Sequence, residues 1–452
     1  MTETNAEAGA PSSATGTASG ADSHSGATKD KSITEALIPA ITEATPVIAN
    51  SLGEYLRAWY RRVRGGESGA LPIIIGLILI VIIFQIQSTK FLTAANIVSI
   101  LELAPIFILF GLGETLALLL SEIDLSVGFV AGVGALITAE LMATPYFWPW
   151  WAAVIVGLLA TAFIGVLQGT LITRLRLPSF IVTLAGLLGW QGVMIWIADV
   201  DKAAVGGVVR IATTNVVFKL VNTNINPTVS WFLLAMILLA FGLFVWFRDD
   251  RRRKAGLSAP PTSITVLTIV VVAIASAALV WVCNLNRGTP TFALRGVPYV
   301  VVFVLVVLVA YTVMLGRTKF GRYIYAIGAN PEAARRAGVN VSLVRTAAFT
   351  LCSFTAGVAG LVYASRLGSI GIDINGGTLV LYAVAAAVIG GTSLFGGRGK
   401  AVHSLLGGLV IAVVYDGLGL LGVSAAGQYM ATAVVLLLAV TVDSVVRRRS
   451  LT

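Results

Sequence analysis

The stretch SEIDLSVG places two carboxylates, Glu122 and Asp124, inside a run that is otherwise strongly apolar. An ionisable side chain is costly at membrane depth, and the backbone around it must find hydrogen-bond partners within the protein. Carboxylates in such a place either take part in function, by binding an ion or a polar solute, or mark a point where the chain does not face lipid. The stretch therefore predicts a broken or re-entrant helix near 121–128.

The residues around Asp124 favour a structural role and a functional role together. The side chain of Asp124 or Ser126 is suited to accept backbone N–H groups at the start of a helix that runs toward Met142, and Gly128 would let another helix approach closely. A polar turn in a broken helix also exposes polar groups to a solute that passes through a membrane protein. The two interpretations are compatible, and the sequence leaves both open.

Composition decides the class of protein. The chain has 452 residues, of which 57% are hydrophobic and 12% are charged, and its mean hydropathy is +0.92. Soluble globular domains have about 25% charged residues, so we predict an all-α integral membrane protein. The net charge of +10 lies in short clusters without base-stacking aromatic residues, which argues against nucleic acid. Two cysteines and two histidines predict neither a disulfide framework nor a metal site.

Membrane-spanning helices need about 20 apolar residues each, and twelve runs meet that criterion. They cover about 70–86, 103–121, 124–143, 150–173, 179–198, 229–247, 264–283, 298–316, 345–363, 379–394, 402–422 and 427–446. If all twelve cross, one side carries about three times as many Lys and Arg residues as the other, so that side and both termini are predicted to be cytoplasmic. Losing two adjacent spans would keep this asymmetry, so the prediction is ten to twelve spans.

The ends of the chain have a different composition. Residues 1–50 are rich in Ala, Ser, Thr, Gly and Glu and predict a disordered cytoplasmic tail. Residues 51–66 predict a short amphipathic helix on the membrane surface, with its arginines toward lipid head groups. We expect the membrane-spanning domain to cover 70–446 and a basic cytoplasmic tail to cover 447–452.

A second candidate site lies between two predicted spans, where NPEAARRAGVNV has the pattern of a short helix. Asn330 is a candidate N-cap, Pro331 suits the first helical position, and Gly338 suits the C-terminal end. Two helical turns have too little apolar surface to form core. The segment therefore predicts a docking surface for a soluble partner, formed by Asn330, Pro331, Glu332, Ala333, Ala334, Arg335, Arg336 and Gly338. The alternative is an ordinary basic loop whose arginines contact lipid phosphate.

Several stretches resemble the permease family of ribose, arabinose and xylose ATP-binding-cassette importers. They are IDLSVG (123–128), LPSFIVTLAG (177–186), FGRYIYAIGANPEAARRAGVNV (320–341), AVIGGTSLFGG (387–397) and VDSVVRRRS (442–450). With an insertion at 256–291, they are most similar to the xylose-type branch, over about 70–450 in total. The family commonly has another residue where this chain has Glu122. A family role is therefore carried over to Asp124 and not to Glu122.

The resemblance implies a multi-pass plasma-membrane transport subunit that is not itself an enzyme. Residues 317–344, here called the coupling segment, would contain the helix that sits in a groove of a separate ATPase subunit. That subunit would use the ATP and Mg²⁺, and the permease would have no cofactor of its own. The permease would form a homodimer and receive a monosaccharide, D-xylose or a related sugar, from an extracytoplasmic binding protein, with 199–228 contributing to docking.

The sequence has no P-loop motif, so we expect nucleotide to bind to another subunit. The only Gly-Lys pair, Gly399 and Lys400, is followed by Ala401, and the preceding glycine of a P-loop is missing. The stretch GGTSLFGGRGK (390–400) is instead predicted to be a tight cytoplasmic turn. With so few histidines and no metal-like spacing of carboxylates, the chain also gives little support to an intramembrane enzyme, and we predict no catalytic residues.

One alternative from another class is an ion-coupled secondary sugar carrier. Such a carrier would use intramembrane carboxylates as ion sites, for which the candidates are Glu114, Glu122, Asp124 and Glu140. In either case a sugar pathway needs hydroxyl-pairing groups and an aromatic surface. The outward half of the fifth predicted span offers Trp190, Gln191 and Trp196 as candidate lining residues.

Overall fold

The computed structural model describes Gly53 and residues 71–200, 205–257, 259–289, Thr291, 293–434, Leu437 and Thr441. Within these residues the chain is helical with only two short antiparallel strand pairs, so the protein is an all-α integral membrane protein. The predicted tails, 1–50 and 447–452, lie outside the described residues. So does the predicted surface helix at 51–66, apart from Gly53, which is helical.

The elements follow one another along a single bundle. In chain order they are α1 (Leu71–Gln87), α2 (Ala94–Leu119), α3 (Val127–Met142), α4 (Trp150–Arg174), α5 (Ser179–Val200), β1 (Val208–Arg210), α6 (Val216–Asn222), β2 (Asn224–Ile225), α7 (Pro227–Lys254), α8 (Thr262–Asn284), β3 (Val297–Pro298), α9 (Tyr299–Arg317), α10 (Lys319–Ala329), α11 (Pro331–Arg336), α12 (Val341–Leu367), β4 (Ser369–Gly371), α13 (Gly376–Ile389) and α14 (Ala401–Leu420). A further helical stretch covers 425–434.

Eight helices in the described part of the chain are long and apolar enough to cross a membrane, namely α2, α4, α5, α7, α8, α9, α12 and α14. Three more, α1, α3 and α13, are apolar but shorter. Each predicted span before 427 coincides with one of these helices, and the span predicted at 427–446 is described only in part. With 16 and 14 residues, α3 and α13 are about 24 and 21 Å long, less than a bilayer core of about 30 Å.

The predicted interruption near 121–128 is confirmed. Helix α2 ends at Leu119 and α3 begins at Val127, and we call the connection 120–126 the helix break. Asp124 and Ser126 in this connection are fully buried. Irregular backbone is tolerated at membrane depth where protein surrounds it, because protein groups then replace the missing helical hydrogen bonds.

Helix α12 forms the centre of the bundle and packs against α2, α3 and α4. Small side chains on its buried faces, such as Ala356 and Ala359, allow these helices to approach closely. By contrast α7 and α8 pack mainly on each other and leave most of their apolar side chains exposed, as expected of peripheral helices in lipid. Helix α8 and its connections correspond to the insertion at 256–291.

The bundle has two distinct ends, which are joined by α12. At one end β1 pairs with β4 in the register Val208 to Gly371, and Ser365 donates its hydroxyl to the Phe218 carbonyl of α6 at 3.1 Å. We call this the strand end; the predicted docking loop at 199–228 contains β1, α6 and β2. The other end, where α10 and α11 lie before α12 begins, we call the coupling end.

Candidate functional site

The short helix of the coupling segment is confirmed. The Asn330 side chain accepts the N–H groups of Glu332 at 3.1 Å and Ala333 at 2.9 Å, and Pro331 stands at the first helical position. Gly338 follows the helix with a φ of 83°, in the left-handed region where glycine ends helices at little cost. These are local effects of residue type, and they explain why the sequence folds this way here.

Helix α11 is exposed over most of its surface. Within the described structure, Ala334 is the one buried residue of this helix. The Glu332 carboxylate accepts hydrogen bonds from Arg335 at 2.9 Å and from Arg336 at 3.3 Å, and its side chain is 55% exposed. The surface is thus a compact pattern of one acidic and two basic groups on a capped helix.

Helix α10, within the coupling segment, packs against the bundle next to the helix break. It is amphipathic, and it buries Gly321, Ile324 and Ile327 against the bundle. Near its end, Gly328 lies against the Leu119 carbonyl oxygen so closely that any Cβ would overlap that oxygen. The same oxygen, at the end of α2, accepts the N–H of Gly397 at 2.9 Å.

The loop at 390–400 contacts both the helix break and α10. The Ser121 hydroxyl donates to the Phe395 carbonyl at 2.8 Å, and the Tyr325 hydroxyl of α10 donates to the Gly399 carbonyl at 2.7 Å. Burial raises the pKa of Tyr325, so this hydroxyl remains a neutral donor. The loop, the helix break and α10 therefore form one packed unit.

Glu122 makes the most direct link to the coupling segment. Its carboxylate oxygen lies 3.2 Å from the Arg345 guanidinium, in the first turns of α12 just beyond the coupling segment. The Glu122 and Arg345 side chains are 11% and 29% exposed, so water screens the pair only in part. Sequence reasoning named Glu122 as a candidate at the helix break and as a candidate ion site, but it did not find Arg345, because this partner is distant along the chain.

Asp124 lies in a buried network that organises the helix break. Its Oδ1 accepts the Ser126 N–H at 2.9 Å and the Ser126 hydroxyl at 2.6 Å, and its own N–H donates to Glu114 Oε1 at 3.2 Å. Ser126 also exchanges hydrogen bonds with the Gln168 amide of α4. Of the two candidate caps, Asp124 therefore satisfies backbone at the start of α3, whereas the Ser126 side chain does not.

The candidate lining residues of α5 separate into two positions. Trp190 Nε1 is buried without a hydrogen-bond partner, and the neighbouring backbone at Gly186 lies against both this nitrogen and the Gln168 amide. Trp190 thus joins the network beside the helix break. Gln191 is half-buried, and Trp196 is 64% exposed on another face of α5, so the structure does not bring Trp196 to this network.

A second irregular segment meets the first, and sequence reasoning missed it. Gly128, at the start of α3, lies against the Gly376 carbonyl at the start of α13. Asn375 caps α13 by accepting the Thr378 N–H at 3.3 Å. The signal was present in the sequence, because IDINGG (372–377) repeats the spacing of IDLSVG before a short apolar helix.

Replacing Asp124 by Ala is expected to lower the free energy of unfolding by about 1–3 kcal/mol, because the buried Ser126 N–H loses its acceptor. Asp124→Asn keeps an acceptor oxygen and should cost less. The comparison is made on purified protein in detergent from apparent melting temperatures. Equal melting temperatures for the Ala and Asn variants would contradict the structural role of this carboxylate.

The described part of the site consists of packing contacts and hydrogen bonds between helices. Among the residues that the structure describes, no three His, Cys, Asp or Glu side chains form a group that could hold a metal ion. The site combines an exposed capped helix with a partly buried ion pair and an irregular segment between helices, and packing contacts connect these features. Such an arrangement suits the transmission of a movement from the coupling end into the bundle.

Comparison with known proteins agrees with this architecture. The family described as "Branched-chain amino acid transport system / permease component" matches residues 96–441. The chain is 32% identical over 385 residues to the xylose transport system permease protein XylH of Escherichia coli strain K12, covering 84% of this chain and 92% of that protein. No solved structure matches the chain.

Two other relatives are named for the import of different sugars. The chain is 30% identical over 371 residues to the ribose import permease protein RbsC of Escherichia coli strain K12, which covers 82% of this chain and 92% of that protein. It is also 30% identical over 379 residues to the fructose import permease protein FrcC of Rhizobium meliloti, at 84% and 86% coverage. The family match includes the helix break and the coupling segment, and it confirms the resemblance drawn from the motifs. The chain is a multi-pass membrane protein that belongs to the branched-chain amino acid transport system / permease component family.

Proposed function

We propose that this chain is the transmembrane permease of an ATP-driven importer that passes a monosaccharide, D-xylose or a related sugar, into the cytoplasm. The relatives named for xylose, ribose and fructose transport support a sugar as the substrate. The observation that carries the proposal is that the helices on either side of the exposed, capped α11 contact the buried interruption of the bundle, α10 through Gly328 and α12 through Arg345.

In this proposal the energy comes from a partner. A separate ATPase subunit binds ATP and Mg²⁺, and α11 docks in a groove on its surface. Closure of that subunit pushes α11, and the push reaches the bundle by two routes. One is the contact of Gly328 with the end of α2, and the other is the ion pair of Arg345 with Glu122. The first route ends next to the helix break and the second ends in it.

The other partners are assigned by the two ends of the bundle. The coupling end and both termini are cytoplasmic, which agrees with the basic residues that predict topology. The strand end faces outward, where the folded part of 199–228 contributes to docking of a sugar-binding protein. Two copies of the chain form a homodimer around the pathway. The helix break moves as one unit, because its carboxylate and hydroxyl groups are held together in a packed hydrogen-bond network.

Transport in proteoliposomes tests the proposal. The purified chain is reconstituted with its ATPase and its binding protein, and uptake of radiolabelled xylose is expected only with ATP and Mg²⁺ inside and the loaded binding protein outside. A matched set of vesicles lacks the ATPase and has a proton or sodium gradient. Uptake in this second set would contradict the proposal and favour the ion-coupled carrier.

A further inference from the structure

Near the strand end, one face of the bundle carries polar side chains that lipid cannot accommodate. Asp373 and Asn375 precede α13 and are exposed, and Tyr415 of α14 and Tyr429 of the following helical stretch are 41% and 47% exposed. The Asn375 amide donates to the Tyr429 hydroxyl at 2.7 Å. We call these four residues the polar face.

Aromatic rings pack against the tyrosines of the polar face. The Tyr382 ring is buried, and its centroid lies 5.2 Å from that of Phe107 and 6.0 Å from that of Tyr415, with edge-on geometry in both pairs. Tyr363 of α12 lies close enough to Asp373, Tyr415 and Tyr429 to interact electrostatically with each. Rings locked against one another hold the exposed hydroxyl groups in defined positions.

The position of this face along the helices argues for a water-filled space. Tyr415 lies five residues before the end of α14, which is about 7.5 Å below that end. Helix α13 is too short to cross a bilayer, so Asp373 and Asn375 reach inward from the strand end on irregular backbone. Exposed carboxylate and amide groups at such a depth face an aqueous cavity or another protein surface, and not lipid.

The chemistry of the face fits a neutral polyhydroxylated ligand. A carboxylate accepts two hydrogen bonds from neighbouring hydroxyl groups, an amide both donates and accepts, and a tyrosine adds a hydroxyl and a ring on which sugar C–H groups pack. A single carboxylate with neutral neighbours does not form the oxygen cage that a cation needs. We propose that Asp373, Asn375, Tyr415 and Tyr429 bind the transported monosaccharide on the outward side of the permease.

The inference rests on the proposed function and adds the place where sugar is held. It also connects that place to the helix break. Gly376, next to Asn375, packs its carbonyl against Gly128, and the Phe129 ring lies against Gly376 itself. A displacement of the helix break that shifts the start of α3 therefore also shifts the start of α13, together with Asn375. Sugar release and the movement of the coupling segment are linked by this contact.

The first test compares uptake with ATP hydrolysis in the full reconstituted system. Asn375→Ala and Tyr429→Phe are expected to lower xylose uptake at least tenfold, while the stimulation of ATPase by loaded binding protein changes less than twofold. Tyr299→Phe is the matched control, because Tyr299 is also 47% exposed, at the start of α9, but outside the polar face. Full uptake by both variants would overturn the inference.

A labelling experiment tests the same face without transport. Gly377 has open space around it, so Gly377→Cys introduces a thiol beside Asn375 without a clash, and the native Cys283 and Cys352 are buried. A membrane-impermeant maleimide is expected to label this thiol, and xylose should slow the labelling where glycerol of equal osmolarity does not. A thiol that is inaccessible, or labelled equally fast with xylose, contradicts the site.

The two experiments separate the inference from the proposed function. Protection by xylose in a wild-type background that lacks ATP-driven uptake would refute the ATP-driven importer and keep the binding site. ATP-driven uptake without protection, together with full uptake by Asn375→Ala and Tyr429→Phe, would keep the importer and refute the binding site.

Discussion

Replacing Glu332 by Lys is expected to abolish stimulation of the partner ATPase while leaving the permease folded and inserted. The Asn330 cap, Pro331 and the buried Ala334 all remain, and the lost pairs with Arg335 and Arg336 are exposed and contribute only tenths of a kcal/mol. The surface, however, changes from one negative and two positive groups to three positive groups. Charge complementarity with a docking groove would then be lost.

A matched reversal separates docking from general effects of charge. Asp250→Lys, near the end of α7, also breaks a partly exposed i, i+4 pair with Lys254 and should leave ATPase stimulation unchanged. The assay measures ATP hydrolysis in proteoliposomes, with melting temperature and membrane insertion checked for each variant. Unchanged stimulation by Glu332→Lys contradicts the assignment of α11, as does labelling of a cysteine at 332 from the outside of whole cells.

Helix α11 was predictable because the signals for it are local. Asn330 accepts N–H groups two and three residues ahead, and Gly338 takes the left-handed conformation that ends the helix. Neither effect depends on the rest of the fold. The membrane helices were predictable for a similar reason, since apolar length alone identifies a span. The position of the helix break followed from carboxylates that lipid does not tolerate.

Helix ends within the membrane were harder to predict. The predicted span 379–394 begins and ends later than the helix, because no charged residue interrupts the chain before Arg398 while the helix ends at Ile389. Gly391 has a φ of 106°, which turns the chain there. Likewise α2 begins at Ala94 rather than near 103, because its first turns carry polar residues that a search for apolar runs leaves out.

The partners of the site residues were beyond sequence reasoning. Arg345 reaches Glu122, Gln168 reaches Ser126, and Asn375 reaches Tyr429, and each pair joins segments far apart along the chain. Periodicity indicates which face of a helix is buried but not what it meets. The predicted docking and membrane-depth sites were therefore separate in the sequence and adjacent in the structure.

Their adjacency suggests one continuous path for movement. A displacement of α11 would move α10, which contacts Leu119 at the end of α2, and the start of α12, which contacts Glu122 in the helix break. Helix α3, which follows the helix break directly, in turn contacts the start of α13 through Gly128. Packed interiors transmit such displacements because close-packed groups have little room to yield. The ion pair is the part of this path that charge alone can break and restore.

Reversing either member of the Glu122 and Arg345 pair is expected to uncouple transport from hydrolysis. In Glu122→Arg or Arg345→Glu, two like charges meet where a pair with an oxygen-to-nitrogen distance of 3.2 Å stood, and partial burial strengthens their repulsion. The helix break then separates from α12, while α11 still docks. We expect xylose uptake per ATP hydrolysed to fall at least tenfold, with ATPase stimulation within twofold of wild type.

The double variant Glu122→Arg with Arg345→Glu restores opposite charges and should recover most of the uptake. Glu102 and Arg366 provide a matched control, because they form an ion pair between α2 and the same helix α12, at the strand end and at 3.6 Å. Glu102→Arg should lower the melting temperature about as much as Glu122→Arg and leave uptake per ATP unchanged. A double variant as defective as the single ones would show that attraction between these two side chains does not carry the movement. We expect no loss of coupling in Glu102→Arg, because only the pair at the coupling end lies on the path from the ATPase to the helix break. An equal loss of coupling in Glu102→Arg would contradict this path and show that disrupting any ion pair to α12 is enough.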